Sequence, residues 1–295
     1  NSGPYTVMTY NMYGAGGYTP PANASHPVNC GCMTCLGAFD IAHLQYLYGP
    51  NQYTGRKDDS YILSDSLMGY ECIWDAAGKD TIDASTASKA STIDLRNATL
   101  QNEVGGGGFV SEINGEYKGF TIAYNSTGDC IIENAIGSNF NDRITGNEYS
   151  NTIYGLSGDD EIFARGGSDF VYGGFGNDVI HGSFYGDPSN SIDTLSGGNG
   201  SDYFVLGDSS GLFYESSLSN DFANITDFDF SEDKLKLNKA YSYLTSITSS
   251  QNVNGLGVFK DSNSSGSLDI NDDLIAIISN KKDYLSFNNI NTELV

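Results

Sequence analysis

The chain is short of basic residues: 14 Lys and Arg stand against 37 Asp and Glu in 295 residues, a formal net charge of −23. Such a surface repels phosphate backbones and anionic lipid heads, which argues against nucleic acid and acidic membranes as partners. No run of 18 apolar residues occurs, so no segment can span a bilayer as a helix. Histidine is scarce. His26, His43 and His181 are the only three, and no two lie four apart around a glutamate, the spacing a helical zinc-hydrolase site needs. No cleavable signal peptide opens the chain, which begins inside a motif, so its start is expected further upstream. Cysteine is present in an odd number: Cys30, Cys32, Cys35, Cys72 and Cys130. If the others bridge, at least one thiol stays unpaired. His26 and the C-x-C-x-x-C cluster also have the make-up of a three-Cys, one-His zinc site. Disulfides are the favoured reading, because the rest of the chain reads as extracellular.

Glycine and aspartate are plentiful, and they are periodic. Residues 137–205 divide into nines: "GSNFNDRIT", "GNEYSNTIY", "GLSGDDEIF", "ARGGSDFVY", "GGFGNDVIH", an interrupted unit from Gly182 to Ser196, then "GGNGSDYFV". The sixth position reads Asp142, Asn151, Asp160, Asp169, Asp178, Asp193 and Asp202, and the eighth reads Ile144, Ile153, Ile162, Val171, Ile180, Leu195 and Phe204. This is the G-G-x-G-x-D-x-U-x nonapeptide of calcium-binding RTX proteins. Its glycines permit positive φ and let backbone carbonyls crowd together. The last three residues make a short strand with one apolar side chain turned inward. Two units complete one coil of a right-handed parallel β-roll, so stacked neighbours lie 18 residues apart. Calcium takes six or more oxygen ligands at about 2.3–2.6 Å, which turn carbonyls at Gly155, Gly173 and Gly197 and the sixth-position carboxylates can supply.

That stacking sorts the turns into two edges. The first carries Asp142, Asp160, Asp178 and Asp202 without a break. The second has Asn151 in place of Asp, Ala164-Arg165 in place of Gly-Gly, and six extra residues before Asp193. The first edge is expected to bind calcium better.

Segments around the repeats carry a family likeness. "YTVMTY" (Tyr5–Tyr10) is similar to a metzincin Met-turn, and "DIAHLQYLYG" (Asp40–Gly49) to the helix that closes that catalytic domain. "IWDAAGKDTID" (Ile73–Asp83) resembles the first calcium loop of a serralysin C-terminal domain, "IENAIGSNFND" (Ile132–Asp142) the entry to its β-roll, and "ITDFDFSEDKLKL" (Ile225–Leu237) the strands that cap it. The chain resembles the C-terminal portion of the serralysins, secreted RTX zinc metalloproteases. The resemblance implies that Met8 takes the Met-turn position and Tyr10 that of the tyrosine able to ligate zinc. It also implies that Asp58, Asp75 and Asp80 hold a calcium ion. Two departures stand out: the cysteine-rich insertion "PANASHPVNCGCMTC", and the ending "ELV", which matches the family's secretion signal only in part.

Past the repeats, "DSNSSGSLDIND" (Asp261–Asp272) has oxygen side chains at EF-hand spacing, with Asp261, Asn263, Asp269 and Asp272 as candidate ligands and Gly266 at position 6. Position 12 is Asp, not Glu, and the flanks read as strands, so a polar hairpin loop is the plain alternative. Leu235–Leu237, Gly257–Phe259 and Leu274–Ile278 are expected to be antiparallel strands covering the end of the roll.

The expected architecture is mostly β: residues 1–50 as the end of a metzincin-like catalytic domain, 51–136 as a β-rich entry, 137–206 as the roll, and 207–295 as an antiparallel cap. The function this implies is the calcium-binding region of a secreted zinc metalloendopeptidase acting on protein substrates. Zinc belongs only to the complete parent enzyme, so this chain is expected to be inactive alone. The alternative is a non-catalytic extracellular structural or adhesive RTX protein.

Overall fold

The computed structural model describes residues 36–101, 108–124, 130–186, 191–214, 221–281 and 283–295. Met8, Tyr10, His26, Cys30, Cys32 and Cys35 lie outside them. The chain forms two compact units that divide between Phe140 and Asn141.

The first unit begins with helix α1 (Ala38–Tyr48). The Asp40 carboxylate accepts the Gly37 N–H at 3.0 Å, tying the first turn, and the helix stops at Gly49, whose φ of +79° suits glycine. His43 is exposed on this helix. Seven short strands follow: β1 (Ser60–Ile62), β2 (Tyr70–Ile73), β3 (Thr81–Asp83), β4 (Ser91–Asp94), β5 (Ser111–Ile113), β6 (Gly119–Ile122) and β7 (Asn134–Ile136). β1, β3 and β7 pair in parallel, as do β2 and β6, while β6, β5 and β4 run antiparallel. Ile82, Ile93, Leu95, Ile113 and Ile122 form its buried interior.

The second unit consists of two stacks of parallel strands. One stack contains β8 (Arg143–Thr145), β10 (Glu161–Phe163), β12 (Val179–His181) and β14 (Tyr203–Val205). The other contains β9 (Thr152–Ser157), β11 (Phe170–Phe175) and β13 (Ile192–Asn199). Register explains the nine-residue period. Ile144 pairs with Ile162, Ile162 with Ile180, and Ile153 with Val171, each 18 residues on. The extra residues before Asp193 lengthen one coil, so Val171 pairs with Leu195 and Ile180 with Phe204. Strands of three residues bury too little to stand alone. Stacked, they form one column, and all seven eighth-position side chains are 0% exposed.

The remaining strands are β15 (Gly207–Asp208), β16 (Gly211–Leu212), β17 (Phe222–Ile225), β18 (Lys234–Leu237), β19 (Tyr243–Ser250), β20 (Val253–Lys260), β21 (Asp273–Ile278) and β22 (Thr292–Leu294). Here the expectation of an all-antiparallel cap fails. β17 joins β13 in parallel and β21 joins β17; β18 joins β14 and β22 joins β18, also in parallel. Ile225 falls opposite Leu195 and Leu235 opposite Phe204, so the apolar column continues past the last nonapeptide and carries the parallel register with it. Among the described residues of this cap, antiparallel pairing is confined to β15 with β16 and to the β19–β20–β21 meander, where Phe222, Phe259, Leu274 and Ile277 form a buried cluster.

Ninth-position side chains stack outside the column. Tyr154 and Tyr172 lie parallel at 5.0 Å. His181 is not at the open surface that its outward position suggests. It stacks on Phe163 at 4.3 Å and beside Phe213 at 6.0 Å, and burial pushes its pKa down to about 4.

Candidate metal sites

On the first edge of the second unit, the sixth-position aspartates form a ladder. Asp142 N–H donates to Asp160 Oδ1 at 2.7 Å, Asp160 N–H to Asp178 Oδ1 at 2.9 Å, and Asp178 N–H to Asp202 Oδ1 at 2.8 Å. Each carboxylate therefore spends one oxygen on the coil before it. The other oxygen, Oδ2 of Asp160, Asp178 and Asp202, is buried and accepts no hydrogen bond among the described residues. Buried carboxylate oxygens are costly unless paired or bound to a cation.

The turn glycines show what these oxygens face. A Cβ on Gly155 would collide with Asp160 Oδ2 and lie 2.5 Å from the Gly173 carbonyl oxygen. One on Gly173 would collide with Asp178 Oδ2 and lie 2.7 Å from the Gly197 carbonyl, and one on Gly197 would collide with Asp202 Oδ2. At Gly155 and Gly173, the bare α-carbon thus leaves a cradle between a carboxylate and the next coil's carbonyl. An all-oxygen donor set of this kind fits a hard divalent cation such as calcium. Burial chiefly, with neighbouring carboxylates adding, raises Asp160 to about 8 and Asp202 to about 7; burial and then Asp159 raise Asp178 to about 6.

The second edge keeps the ladder but differs at each turn. Asn151 N–H donates to Asp169 Oδ1 at 2.7 Å, and Asp169 N–H to Asp193 Oδ1 at 2.9 Å. Asn151 pairs with Asn147 through both ends of its amide, at 2.9 and 3.1 Å. The Tyr214 hydroxyl donates to Asp193 Oδ2 at 2.7 Å. Complete burial, and then the charge of Asp193, raise the Tyr214 phenol well above its ordinary value, so it keeps its proton.

In the first unit, Asp59, Asp75 and Asp80 bring one carboxylate oxygen each within 4.8 Å of one another. Asp75 and Asp80 are the residues the calcium-loop likeness picks out, but Asp59 stands in the third place in the structure. Asp58 instead accepts the Lys79 N–H at 3.0 Å. Tyr61 O–H donates to Asp75 Oδ2 at 2.6 Å, while Asp80 Oδ2 is buried and accepts no hydrogen bond among the described residues. Burial first, then the charges of Asp75, Glu133 and Asp59, lift Asp80 to about 6. Behind the cluster, the buried Cys130 sulfur accepts the Asp75 N–H at 3.5 Å, and burial pushes its thiol to about 12.

The Asp261–Asp272 loop joins β20 to β21. Asp261 accepts the Ser265 and Gly266 N–H groups at 2.9 and 3.0 Å; Asn263 donates to Asp269 at 2.6 Å; Asp272 accepts the Ser262 and Asp269 N–H groups at 3.1 and 2.8 Å. These side chains already organise the hairpin loop.

The family model described as "Peptidase M10 serralysin C terminal" matches residues 40–285. This chain belongs to that family. A curated relative, the serralysin of Proteus mirabilis, is 33% identical over 145 residues, covering 45% of this chain and 25% of the relative. The chain therefore aligns with only a quarter of that protein's length. Among solved structures, the AlgE6R3 subunit of the Azotobacter vinelandii mannuronan C5-epimerase matches at 24% identity, over 47% of this chain and 68% of its own, with a TM-score of 0.16.

The serralysin C-terminal region here has two ladder members that the nonapeptide period does not show. Asp202 N–H donates to Asp233 Oδ1 at 2.9 Å, across 31 residues, so Asp233 extends the first edge. Asp227 ends that edge by accepting the N–H groups of Gly197 and Gly198, both at 3.0 Å, and the Ser196 hydroxyl at 2.5 Å. Both lie in "DFDFSEDKLKL", where the sequence signal was the family likeness and not the repeat.

The raised carboxylates predict a pH dependence. A calcium ion held in these cradles would have to displace the protons that Asp160, Asp202 and Asp178 hold up to about 8, 7 and 6, so its affinity would rise with pH across that window. For the metal-free chain the sign reverses. Folded pKa values raised above the unfolded ones add stability that is complete below the unfolded value near 3.9 and lost as pH rises through the folded values. Calcium titrations at pH 6 and pH 8 check the first statement; equal affinities at both would refute it.

Proposed function

We propose that this chain is the calcium-binding C-terminal region of a secreted zinc metalloendopeptidase. Its second unit is a right-handed parallel β-roll of RTX repeats that folds only with calcium bound. The observation that carries this reading is the set of buried Oδ2 atoms at Asp160, Asp178 and Asp202, each beside a bare turn glycine. Asp142 and the carbonyls of Gly155, Gly173 and Gly197 complete the first-edge ligand set. A further ion belongs to Asp59, Asp75 and Asp80, which lie close enough to share one. Sites of this kind in extracellular modules bind calcium at about 10⁻⁴–10⁻³ M. They stay empty in a cytoplasm and fill outside the cell, which suits a secreted protein.

In the parent enzyme, bound zinc would supply a polarised water for peptide hydrolysis. Of this chain's residues, Tyr10 would act at that centre, as a zinc ligand able to donate a hydrogen bond to the oxyanion. A single ligand does not hold zinc in a hydrolytic site. The purified chain is accordingly expected to leave casein uncleaved with zinc and calcium present. Cleavage by the pure chain that Tyr10→Phe abolishes would overturn the assignment of catalysis to an upstream segment.

A further inference from the structure

We propose that the second edge of the second unit is closed to calcium by its own side chains, with the Tyr214 hydroxyl standing in the ion's place at the last turn. This rests on the calcium reading of the first edge, where each cradle needs a bare turn glycine and a free oxygen on the aspartate that follows.

The corresponding pairs on the second edge are Gly146 with Asn151, Ala164 with Asp169, and Gly182 with Asp193. Each fails in its own way. Asn151 is neutral, and its amide oxygen already accepts the Asn147 N–H at 2.9 Å while its Nδ2 donates to Asn147 Oδ1 at 3.1 Å. Asp169 Oδ2 is buried as its first-edge counterparts are, but Ala164, itself at 0% exposure, carries a methyl group where the first edge has the bare turn glycine that each cradle needs. The third pair has the composition of a working cradle, a glycine and an aspartate. There the obstacle is Tyr214. A Cβ on Gly182 would collide first with the Tyr214 hydroxyl oxygen, and would find Asp193 Oδ2 at 3.0 Å. The hydroxyl lies 2.7 Å from Asp193 Oδ2, and Tyr214 is fully buried.

The phenol thus fills the space between turn glycine and carboxylate that stands open on the first edge. It also meets the chemical need of the ion: Asp193 Oδ2 receives a proton donor instead of a cation, so the oxygen is satisfied without metal. Phenol and calcium cannot share that space. Calcium is then held along one edge, and the other is fixed by hydrogen bonds and a methyl group.

The test is the number of calcium ions bound per full-length chain, measured by equilibrium dialysis with calcium alone on Asp160→Asn, Asp193→Asn and Tyr214→Phe. Asp160→Asn is expected to bind fewer ions than the parent chain, and the other two the same number. Tyr214→Phe is also expected to lower the thermal midpoint equally at two calcium concentrations, both above the folding midpoint, because it removes a proton donor and not an ion. Should Tyr214→Phe fail to fold, Asp193→Asn decides alone, since its amide oxygen can still accept the Asp169 N–H while its NH2 donates to the phenol oxygen. Loss of a bound ion in Asp193→Asn or Tyr214→Phe, with Asp160→Asn behaving as expected, overturns the inference and leaves the first-edge sites standing. A parent chain that binds no calcium overturns both.

Discussion

Stripping calcium from the purified chain with excess chelator is expected to unfold residues 137–205 in one cooperative step, and adding calcium back at about 10⁻⁴–10⁻³ M to refold them. The stabilising core of this segment is thin. β8, β10, β12 and β14 are three residues long, and each sends one side chain into the apolar column. Ordering costs about 1–2 kcal/mol per residue, and one buried Ile per nine residues returns only about 1.5–3 kcal/mol. Against that deficit stand buried carboxylates at Asp160, Asp178 and Asp202, whose Oδ2 atoms accept no hydrogen bond among the described residues. Without a cation they must carry a proton or face one another charged. Binding energy is therefore folding energy. Cooperativity follows because each coil passes through both edges, so a coil released at one edge has lost its strand pairing at the other. Far-UV circular dichroism reads the β content of the whole chain. Trp74, the one tryptophan, lies in the first unit, so its fluorescence reports that unit separately. A dichroism spectrum that excess chelator does not change would refute the coupling.

What was legible in the sequence was whatever repeated. Seven apolar positions and seven polar ones at a nine-residue spacing predicted the buried column and the aspartate ladder, and the 18-residue pairing of Ile144 with Ile162 and Ile162 with Ile180 follows from the same count. The 24-residue step from Asp178 to Asp202 stays legible, because the repeat resumes after six extra residues that can be counted. The 31-residue step from Asp202 to Asp233 does not, because no nonapeptide follows Asp202 to carry the register. The direction of the capping strands is hidden in the sequence for a related reason. Leu235 and Leu274–Ile278 look the same as strands in either direction, and parallel pairing was decided by the apolar partners waiting on β14 and β17. Asp58 and Asp59 cannot be told apart by composition, since only backbone direction decides which one reaches Asp75 and Asp80. Tyr214 was invisible. It sits in "GLFYESS", a stretch with no repeat, and its partner Asp193 is reached only in three dimensions.

Asp178→Ala is expected to lower the number of calcium ions bound, while Asn151→Ala leaves that number unchanged. Asp178 serves two coils. Its Oδ1 accepts the Asp160 N–H at 2.9 Å, and its Oδ2 faces the cradle beneath Gly173 and the Gly197 carbonyl. Truncation removes ligands from adjoining sites and also leaves the buried Asp160 N–H without its acceptor. Asn151 has no such role. Its side chain is spent on Asn147, so truncation costs two hydrogen bonds, about 1–2 kcal/mol in all, at any calcium concentration. The folding midpoint alone does not separate the two variants. Folding and binding are one equilibrium, so any loss of stability raises the calcium needed to fold. Spread over the two first-edge cradles at Gly155 and Gly173, about 1–2 kcal/mol raises the midpoint only about two- to fivefold. Losing ligands raises it further and makes the titration less steep, because fewer ions enter the folding step. Ion count and steepness are therefore the deciding measurements: both fall in Asp178→Ala, and neither falls in Asn151→Ala. Equal losses in the two variants would mean that both edges hold calcium alike, and the division of the turns into a metal-binding and a hydrogen-bonded edge would be wrong.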